Sequence, residues 1–372
     1  MELPNPNPRV AEPTFGSELL RTLPDELFEC PVVHTQPEPW ELVKGLFHAR
    51  RASAGAEAHE GDEPGRVHVG RVPCAQPELA SAVDWVHMVQ TMEHARVREV
   101  SASFGPASAV FGIGGGSALD HAKYTAWTRK LPLILVPSLL SVDAAFTKAV
   151  GVREGSRVRY VGEVYPDHLL VDYPLIQAAP PLLNRAGAGD ILSIFTALWD
   201  WKEAGARLGE AYFPDVAARS ARLLERLLEK GEALRDVTPE GLRLLAELYV
   251  EEVRLCEMVG NSRPEEGSEH YLAYCIEAQT GGHYLHGQLV ALCILVAGAA
   301  QGQDIGPVRG YLGRLGLDWR PEAVGVTRDQ LVGALCAMPS YVREEKQLLP
   351  GVFHFMEALS AEDAEAILKR VL

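Results

Sequence analysis

The chain has 372 residues, of which 47% are hydrophobic and 23% charged, and its formal net charge is −15. This length exceeds one ordinary hydrophobic core, so two domains are expected, and the composition excludes a disordered chain. The acidic charge argues against a nucleic-acid or anionic-membrane partner, because either would need a basic surface.

We expect neither a secretory signal peptide nor a membrane-spanning segment in this sequence. Its N-terminal segment lacks the basic head and apolar core of a signal peptide. The longest apolar stretch, residues 289–300, is too short to span a bilayer. Six cysteines are scattered without a Cys-x-x-Cys pair, which suits a reducing compartment. We therefore predict a cytoplasmic protein without a membrane span.

Strand-like and helix-like segments alternate along the first half of the chain. The predicted strands are residues 29–35, 66–73, 108–116 and 131–138, and the predicted helices are residues 39–52, 77–95 and 117–130. Such alternation implies βαβ units and a mostly parallel sheet. Around Glu154 and Gly155, the run Gly-Val-Arg-Glu-Gly-Ser-Arg-Val-Arg-Tyr predicts a solvated β-hairpin.

The second half of the chain shows apolar residues at helical spacing and no comparable strand signal. The predicted helices are residues 214–236, 239–260, 268–279, 286–302 and 328–342. We therefore place a boundary near Pro180 and Pro181. It divides the chain into an α/β domain, residues 1–180, and an all-α domain, residues 181–372. The long apolar helices also favour a homo-oligomer.

A glycine-rich turn follows the predicted strand 108–116. Gly114, Gly115 and Gly116 let the backbone approach a pyrophosphate, and the free N–H groups of the following helix attract that anion. The spacing Gly-x-Gly-x-x-Gly is not met, because Ser117 stands where the third glycine is required. Taken alone, the turn fits either a nucleotide site or an ordinary structural turn.

Asp190 stands behind Gly187 and Gly189, at the head of an apolar helix. It could simply cap that helix, which is a favoured position for aspartate. The more specific interpretation is that Asp190 is a metal ligand, because His270 and His286 also begin apolar helices. One carboxylate and two neutral imidazoles suit Zn²⁺ with an open position for a substrate oxygen.

Two further histidines have weaker claims on a metal. His283 precedes His286 by three residues and could share a helix face with it, so it is a reserve ligand. Otherwise His283 and His168 are expected to be structural.

Several segments, in this order, resemble one enzyme superfamily. They are GIGGGSALDHAKYTA, VPSLLSVDAAF, LLVDYPLIQAAPPLLNRAGAGDILS, SRPEEGSEH and LHGQLV. This ordered set is similar to glycerol dehydrogenases, iron-containing alcohol dehydrogenases and dehydroquinate synthases. SRPEEGSEH and the region around Asp190 most resemble sn-glycerol-1-phosphate dehydrogenases. The resemblance implies a dehydroquinate synthase-like fold, with an N-terminal Rossmann-like domain and an all-α C-terminal domain.

The resemblance also assigns site residues. It implies a divalent metal on Asp190, His270 and His286, with Zn²⁺ as our first choice and Fe or Ni as alternatives. It places Asp143 beside the substrate hydroxyl, as the group that orients or accepts the proton. It implies NAD or NADP near a larger set of residues, namely Gly114, Gly115, Gly116, Ser117, Asp120, Ser138 and Ser141.

The function implied is an NAD(P)-linked dehydrogenase of a polyol or polyol phosphate. The metal would stabilise the substrate alkoxide, from which hydride passes to the nicotinamide. Lys148 and Arg263 are candidate partners for a substrate phosphate. One alternative is a carbocycle-forming synthase like dehydroquinate synthase, which recycles its NAD and eliminates phosphate. A second alternative is a non-catalytic nucleotide-binding protein on this scaffold.

Overall fold

The structure is a computed structural model that describes residues 2–56, 85–155, 157–345 and 349–372. Packing divides it into two compact units. The sheet unit comprises Ala11–Leu139 and Ala144–Ala179. The helical unit comprises residues 2–10, Leu140–Asp143 and Pro180–Leu372. The short segment Leu140–Asp143 packs with the helical unit, although it precedes the boundary expected near Pro180.

A six-stranded sheet forms the centre of the sheet unit, in the order β1-β8-β5-β4-β2-β3. Its members are β1 (Pro13–Gly16), β2 (Pro31–Thr35), β3 (Val86–Met88), β4 (Ala109–Gly114), β5 (Leu133–Pro137) and β8 (His168–Asp172). The strand pairs described in it are parallel. β4 and β5 are buried along their whole length, as expected of central strands covered on both faces.

Helices of the sheet unit connect and cover these strands. They are α1 (Pro37–Ala56), α2 (His94–Ser103), α3 (Gly116–Arg129) and the short α4 (Tyr173–Gln177). Aromatic side chains fill the core beneath α1: the ring of Phe111 lies 5.1 Å from that of Phe28 and 5.0 Å from that of Phe47. The predicted strands at 29–35, 108–116 and 131–138 correspond to β2, β4 and β5.

One predicted helix is wrong in part. Residues 77–95 were expected to be helical, but Val86–Met88 forms β3, which pairs in register with β2. A three-residue strand is too short to leave an alternating pattern, so tertiary pairing decided its conformation. The predicted strand at 66–73 lies outside the described residues. The hairpin is confirmed: β6 (Ala149–Glu154) pairs antiparallel with β7 (Arg157–Glu163).

The helical unit contains ten α-helices in its described residues. They are α5 (Pro181–Ala186), α6 (Ala188–Leu208), α7 (Pro214–Lys230), α8 (Pro239–Val259), α9 (Ser268–Thr280), α10 (His286–Ala300), α11 (Gly306–Leu315), α12 (Pro321–Val324), α13 (Arg328–Glu344) and α14 (Ala361–Val371). All five helices predicted in this half are present. α10 is buried on every side from Gly287 to Ala299, which explains its uninterrupted apolar sequence.

Two further sequence predictions can be compared with the described residues. No helix among them is long and apolar enough to cross a membrane. Cys256, Cys275, Cys293 and Cys336 are free thiols, as the cysteine pattern suggested. Cys30, in contrast, is disulfide-bonded.

Close packing of β4 against α3 depends on Gly112. A Cβ atom there would lie 2.7 Å from Cβ of Ala122 and 3.2 Å from Cα of Leu119. We expect Gly112→Ala to lower the free energy of unfolding by about 1–3 kcal/mol through overpacking. Urea denaturation followed by circular dichroism measures this. Gly105→Ala is the matched control, because a Cβ atom at Gly105 meets nothing within 4 Å; equal effects of the two changes would contradict the packing argument.

Candidate functional site

The N-terminal ends of three helices of the helical unit lie close together. Asp190 lies in the first turn of α6, His270 in the first turn of α9, and His286 at the first residue of α10. One ligand atom from each side chain lies within 4.8 Å of the others. The side chain of Asp190 is 12% exposed and that of His286 31% exposed. The cluster is therefore enclosed on the Asp190 side and partly open beside His286.

Glycines allow these helix ends to approach one another. A Cβ atom on Gly189 would lie 2.8 Å from Cα of Gly287, and one on Gly287 would lie 1.9 Å from the carbonyl oxygen of Ala186. Any larger residue would separate α6 from α10. The glycines beside Asp190 in the sequence therefore place its carboxylate Oδ1 3.8 Å from Nε2 of His286.

The capping interpretation of Asp190 is wrong. The N-cap of α6 is Gly187, and the helix start has no side-chain capping bond. Asp190 Oδ1 is instead buried without a hydrogen-bond partner among the described residues. Burial raises the pKa of Asp190 to about 7, and the charges of Asp143 and Glu266 add to the shift, which His270 opposes. A buried carboxylate oxygen without a partner costs free energy unless a cation binds it. The three residues therefore fit a divalent metal.

Glu269 fixes the orientation of His270, and sequence reasoning missed it. Its buried carboxylate accepts hydrogen bonds from Nδ1 of His270 at 2.9 Å, from the Gly267 amide at 2.7 Å and from Thr196 Oγ1 at 2.5 Å. With Nδ1 engaged as the donor, Nε2 of His270 can offer its lone pair to a metal. A carboxylate behind a ligating histidine is the usual arrangement around metals. The available signal was the adjacent pair Glu-His, which alone is weak.

Asp143 lies beside Asp190. Its backbone N–H donates a hydrogen bond to the Asp190 carboxylate, and its charge raises the pKa of that group. Neighbouring contacts hold the segment Leu140–Asp143: the Leu140 amide donates to Oδ1 of Asn184 at 2.9 Å. Ser141, predicted near the cofactor, is half-buried in the same segment. The structure thus brings Asp143 together with the predicted ligands.

More carboxyl groups surround this cluster. Glu252 is buried and Glu265 half-buried beside it, and the charge of Glu265 raises the pKa of Glu252. Burial raises the pKa of Glu265 to about 8, and the charges of Asp143 and Glu266 contribute. Burial likewise raises the pKa of Glu252 well above its ordinary value. This concentration of acids favours a cation at the point where they converge.

The glycine turn in the sheet unit joins β4 to α3. Gly114 has a φ of +155°, and a Cβ atom there would lie 2.4 Å from Oε1 of Gln36. That same oxygen accepts the Gly115 amide at 2.9 Å. Gln36 therefore shapes the turn, a contact that local sequence could not reveal. α3 begins at Gly116, and Ser117 is exposed in its first turn.

The turn fits a pyrophosphate, because the first N–H groups of a helix lack partners within it. Ser138 lies beside the turn, since its amide donates to the Gly114 carbonyl at 2.9 Å.

Asp120 was also predicted near the cofactor, but the structure gives it other partners. Its carboxylate lies 2.9 Å from Nζ of Lys123, whose side chain is fully buried, and approaches the Gly151 amide at 3.5 Å. It therefore links α3 to the β6–β7 hairpin. These contacts explain an acid at this position without a nucleotide.

The two predicted phosphate partners are already engaged. Arg263 is fully buried, and its guanidinium binds Glu210 through two nitrogens, with Nε at 2.7 Å from Oε1. Lys148 forms an ion pair with Glu163 at 3.1 Å, across the base of the hairpin. Spacing could not show these pairings, because each partner is distant in sequence. A phosphate role for buried Arg263 is not supported.

The remaining two histidines stay outside the cluster. His283 is exposed in the segment between α9 and α10, which is not helical, so it shares no helix face with His286. His168 is the first residue of β8. Neither belongs to a described group of potential metal ligands.

Comparison with known proteins identifies a matching family and several relatives of this chain. A model of the iron-containing alcohol dehydrogenase family matches residues 64–180. Glycerol-1-phosphate dehydrogenase (NAD(P)+) of Hyperthermus butylicus is 33% identical over 246 residues, covering 66% of this chain and 70% of that relative. The corresponding enzyme of Methanothermobacter thermautotrophicus is 28% identical over 275 residues, covering 74% and 78%.

A solved structure supports the fold alone. Glycerol dehydrogenase from Schizosaccharomyces pombe matches with a TM-score of 0.65 and 16% identity, covering 99% of this chain and 91% of that one. The chain belongs to the iron-containing alcohol dehydrogenase family. The curated relatives just described are the glycerol-1-phosphate dehydrogenases within this group. The predicted family and fold class are confirmed.

Metal affinity at the Asp190 cluster should increase with pH. Burial alone lowers the pKa of His270, but its hydrogen bond to Glu269 and the nearby acids outweigh this and raise the pKa to about 10. A metal ligand must lose its proton. We therefore expect the apparent association constant for Zn²⁺ to rise about tenfold per pH unit from pH 7 to 9, and more steeply below pH 7, where Asp190 also carries a proton.

Competition with a chelator of known pH dependence measures this affinity. His283→Gln is the control and should leave the profile unchanged, because His283 lies outside the cluster. An affinity that is flat between pH 7 and 9 would contradict the proton competition.

Proposed function

We propose that this protein is a metal-dependent, NAD(P)-linked dehydrogenase that interconverts a polyol phosphate of the glycerol 1-phosphate type and the corresponding ketone. The observation that carries the proposal is the buried, unpartnered oxygen of Asp190 within ligand reach of His270 and His286. The enzyme class, an NAD(P)-linked dehydrogenase, is confirmed by the family and by the named relatives. The metal, the site residues and the substrate are our proposals.

Asp190, His270 and His286 would hold the metal. Two imidazoles and one carboxylate suit Zn²⁺, and Fe²⁺ or Ni²⁺ are the alternatives. A divalent cation bound there supplies Lewis-acid chemistry towards the substrate hydroxyl, and NAD(P) supplies the hydride acceptor. The partly open side of His286 leaves room for that hydroxyl.

The protein's own residues would control the proton and the geometry. Glu269 keeps the proton of His270 on Nδ1, so that the orientation of the ring is set before substrate arrives. Asp143, whose backbone binds the Asp190 carboxylate, would orient the substrate hydroxyl or accept its proton. The neighbouring acids Glu252 and Glu265 would favour a cation over an anion at this position.

The glycine turn would bind the cofactor. The backbone of Gly114, Gly115 and Gly116, with Ser117 at the helix start, would receive the pyrophosphate. Ser138 and Ser141 remain proposed cofactor neighbours. Asp120 is a weaker candidate for a cofactor contact, because its carboxylate already forms an ion pair with Lys123.

A second candidate substrate is an unphosphorylated small polyol. The observation favouring it is that Arg263 and Lys148 are both engaged by glutamates. The phosphorylated substrate is preferred because the curated relatives described above are glycerol-1-phosphate dehydrogenases. Their names also favour a dehydrogenase over the carbocycle-forming synthase.

We further propose a homo-oligomer in the cytoplasm. The long apolar helices led us to expect self-association, although α10, the most apolar of them, is buried within the helical unit. The four free thiols support a reducing compartment, whereas the disulfide at Cys30 opposes it.

The metal and the activity should be lost together. We expect His286→Ala to lose nearly all of the zinc bound at the Asp190 cluster and to lower the rate of NADH or NADPH oxidation by at least about 10²-fold, because two ligands hold the cation poorly. Dihydroxyacetone phosphate and dihydroxyacetone are assayed side by side, and metal content is measured by mass spectrometry. His283→Ala is the matched control and should keep both metal and activity.

Three outcomes of that experiment bear on the alternatives. Turnover of dihydroxyacetone alone selects the unphosphorylated polyol. Phosphate release from the phosphorylated substrate without net cofactor oxidation indicates the synthase. Equal metal content in His286→Ala and the wild type removes the site assignment.

Asp143 should affect turnover without affecting metal content. Replacing Asp143 by Asn keeps its backbone bond to Asp190 but removes the proton acceptor, so we expect kcat to fall about 10²–10⁴-fold. Zinc content should stay at the wild-type level. The pH profile of kcat should also lose the limb that reports this group. A variant with unchanged kcat would exclude Asp143 from proton transfer.

A further inference from the structure

Three histidines of the sheet unit form a second cluster, which the proposed function does not use. His34 lies on β2, His87 on β3 and His121 on α3. His34 and His87 are partners in the parallel register of β2 and β3, so their side chains leave the sheet on the same face. The three residues are distant in sequence, and the fold alone brings them together.

The geometry of this cluster suits a single cation. One ring nitrogen from each histidine lies within 4.8 Å of the others. The ring centroids are 5.6 Å apart for His34 and His87, 5.4 Å for His34 and His121, and 5.2 Å for His87 and His121. His34 and His121 are fully buried, and His87 is half-buried.

The hydrogen bonds of the two buried rings leave one nitrogen of each ring without a partner. Nε2 of His121 lies 2.8 Å from the carbonyl oxygen of Thr91, which can only accept, so Nε2 carries the proton. In the neutral ring, Nδ1 of His121 then holds a lone pair. Nε2 of His34 bonds Oγ1 of Thr125 at 2.9 Å. Both Nδ1 atoms are buried without a hydrogen-bond partner among the described residues.

The rings are held in the neutral state that ligands require. Burial lowers the pKa of His34 well below its ordinary value, and the neighbouring His121 and His87 lower it further. Burial, then His121 and Arg96, lower the pKa of His87 to about 4. Burial also lowers the pKa of His121, although its bond to Thr91 opposes the shift. At neutral pH the cluster therefore presents uncharged imidazoles.

We propose that His34, His87 and His121 bind a borderline transition-metal cation, of the Zn²⁺ class, as a second metal site in the sheet unit. Imidazole nitrogens suit Zn²⁺, Cu²⁺ or Ni²⁺, whereas Mg²⁺ and Ca²⁺ require oxygen ligands. Three imidazoles are an established ligand set for Zn²⁺, with water as the fourth ligand. The Thr91 carbonyl behind His121 orients that ring as an outer-shell partner does. Coordination would satisfy the two orphaned nitrogens.

The two clusters share no residue, so zinc content separates them. With any affinity tag removed, and at a chelator-buffered free Zn²⁺ concentration, we expect two equivalents in the wild type. We expect one in His286→Ala, one in His87→Gln and none in the double variant. His168→Gln is the control and should retain two, because this histidine belongs to neither cluster. Circular dichroism verifies that each variant is folded.

The wild type and His286→Ala test the proposal even if His87→Gln fails to fold. One equivalent in the wild type and none in His286→Ala would overturn the second site and leave the proposed function intact. One equivalent retained by His286→Ala and lost when His87→Gln is added to it supports the second site, whatever the activity of the enzyme. X-ray absorption of the zinc in His286→Ala should show three imidazole ligands; fewer than three would also overturn the proposal.

Discussion

The close contact between the start of α6 and the start of α10 controls the chemistry of the helical unit. Gly189 and Gly287 leave no room for a Cβ atom between the two backbones, and this contact brings Asp190 to His286. A carboxylate in so enclosed a position is destabilising by itself, which the raised pKa of Asp190 records. A cation there relieves that cost. In this unit the glycine contact between α6 and α10 therefore determines both the helix packing and the geometry of the ligands.

The charges around the Asp190 cluster also favour a bound cation. The charges of Asp143 and Glu266 both act on Asp190, and burial makes each charge more effective than it would be in water. Without a cation, such a group of acids lowers its charge by taking up protons. Proton and metal thus compete for the same atoms. The histidine cluster of the sheet unit differs in charge, since its three imidazole rings are uncharged and the cluster includes no carboxylate.

Different parts of the molecule were predictable to different degrees. Apolar periodicity located α8, α9 and α10, because long helices leave a repeating signal in the chain. β3 was missed, since three residues carry no such signal and only pairing with β2 makes them a strand. The ligand types at Asp190, His270 and His286 could be proposed from helix starts. Glu269 and Gln36 could not, because a supporting contact has no local pattern.

The amino-acid sequence alone indicated most of the elements, the family and the residue types available for a metal. It did so because hydrophobic spacing and an ordered set of motifs are properties of the chain. Which polar groups meet depends on the fold. It paired Arg263 with Glu210 and removed it from the surface. It also gathered His34, His87 and His121, which no motif connects. The reason is physical: charge pairing, burial and coordination depend on distances between residues far apart in sequence.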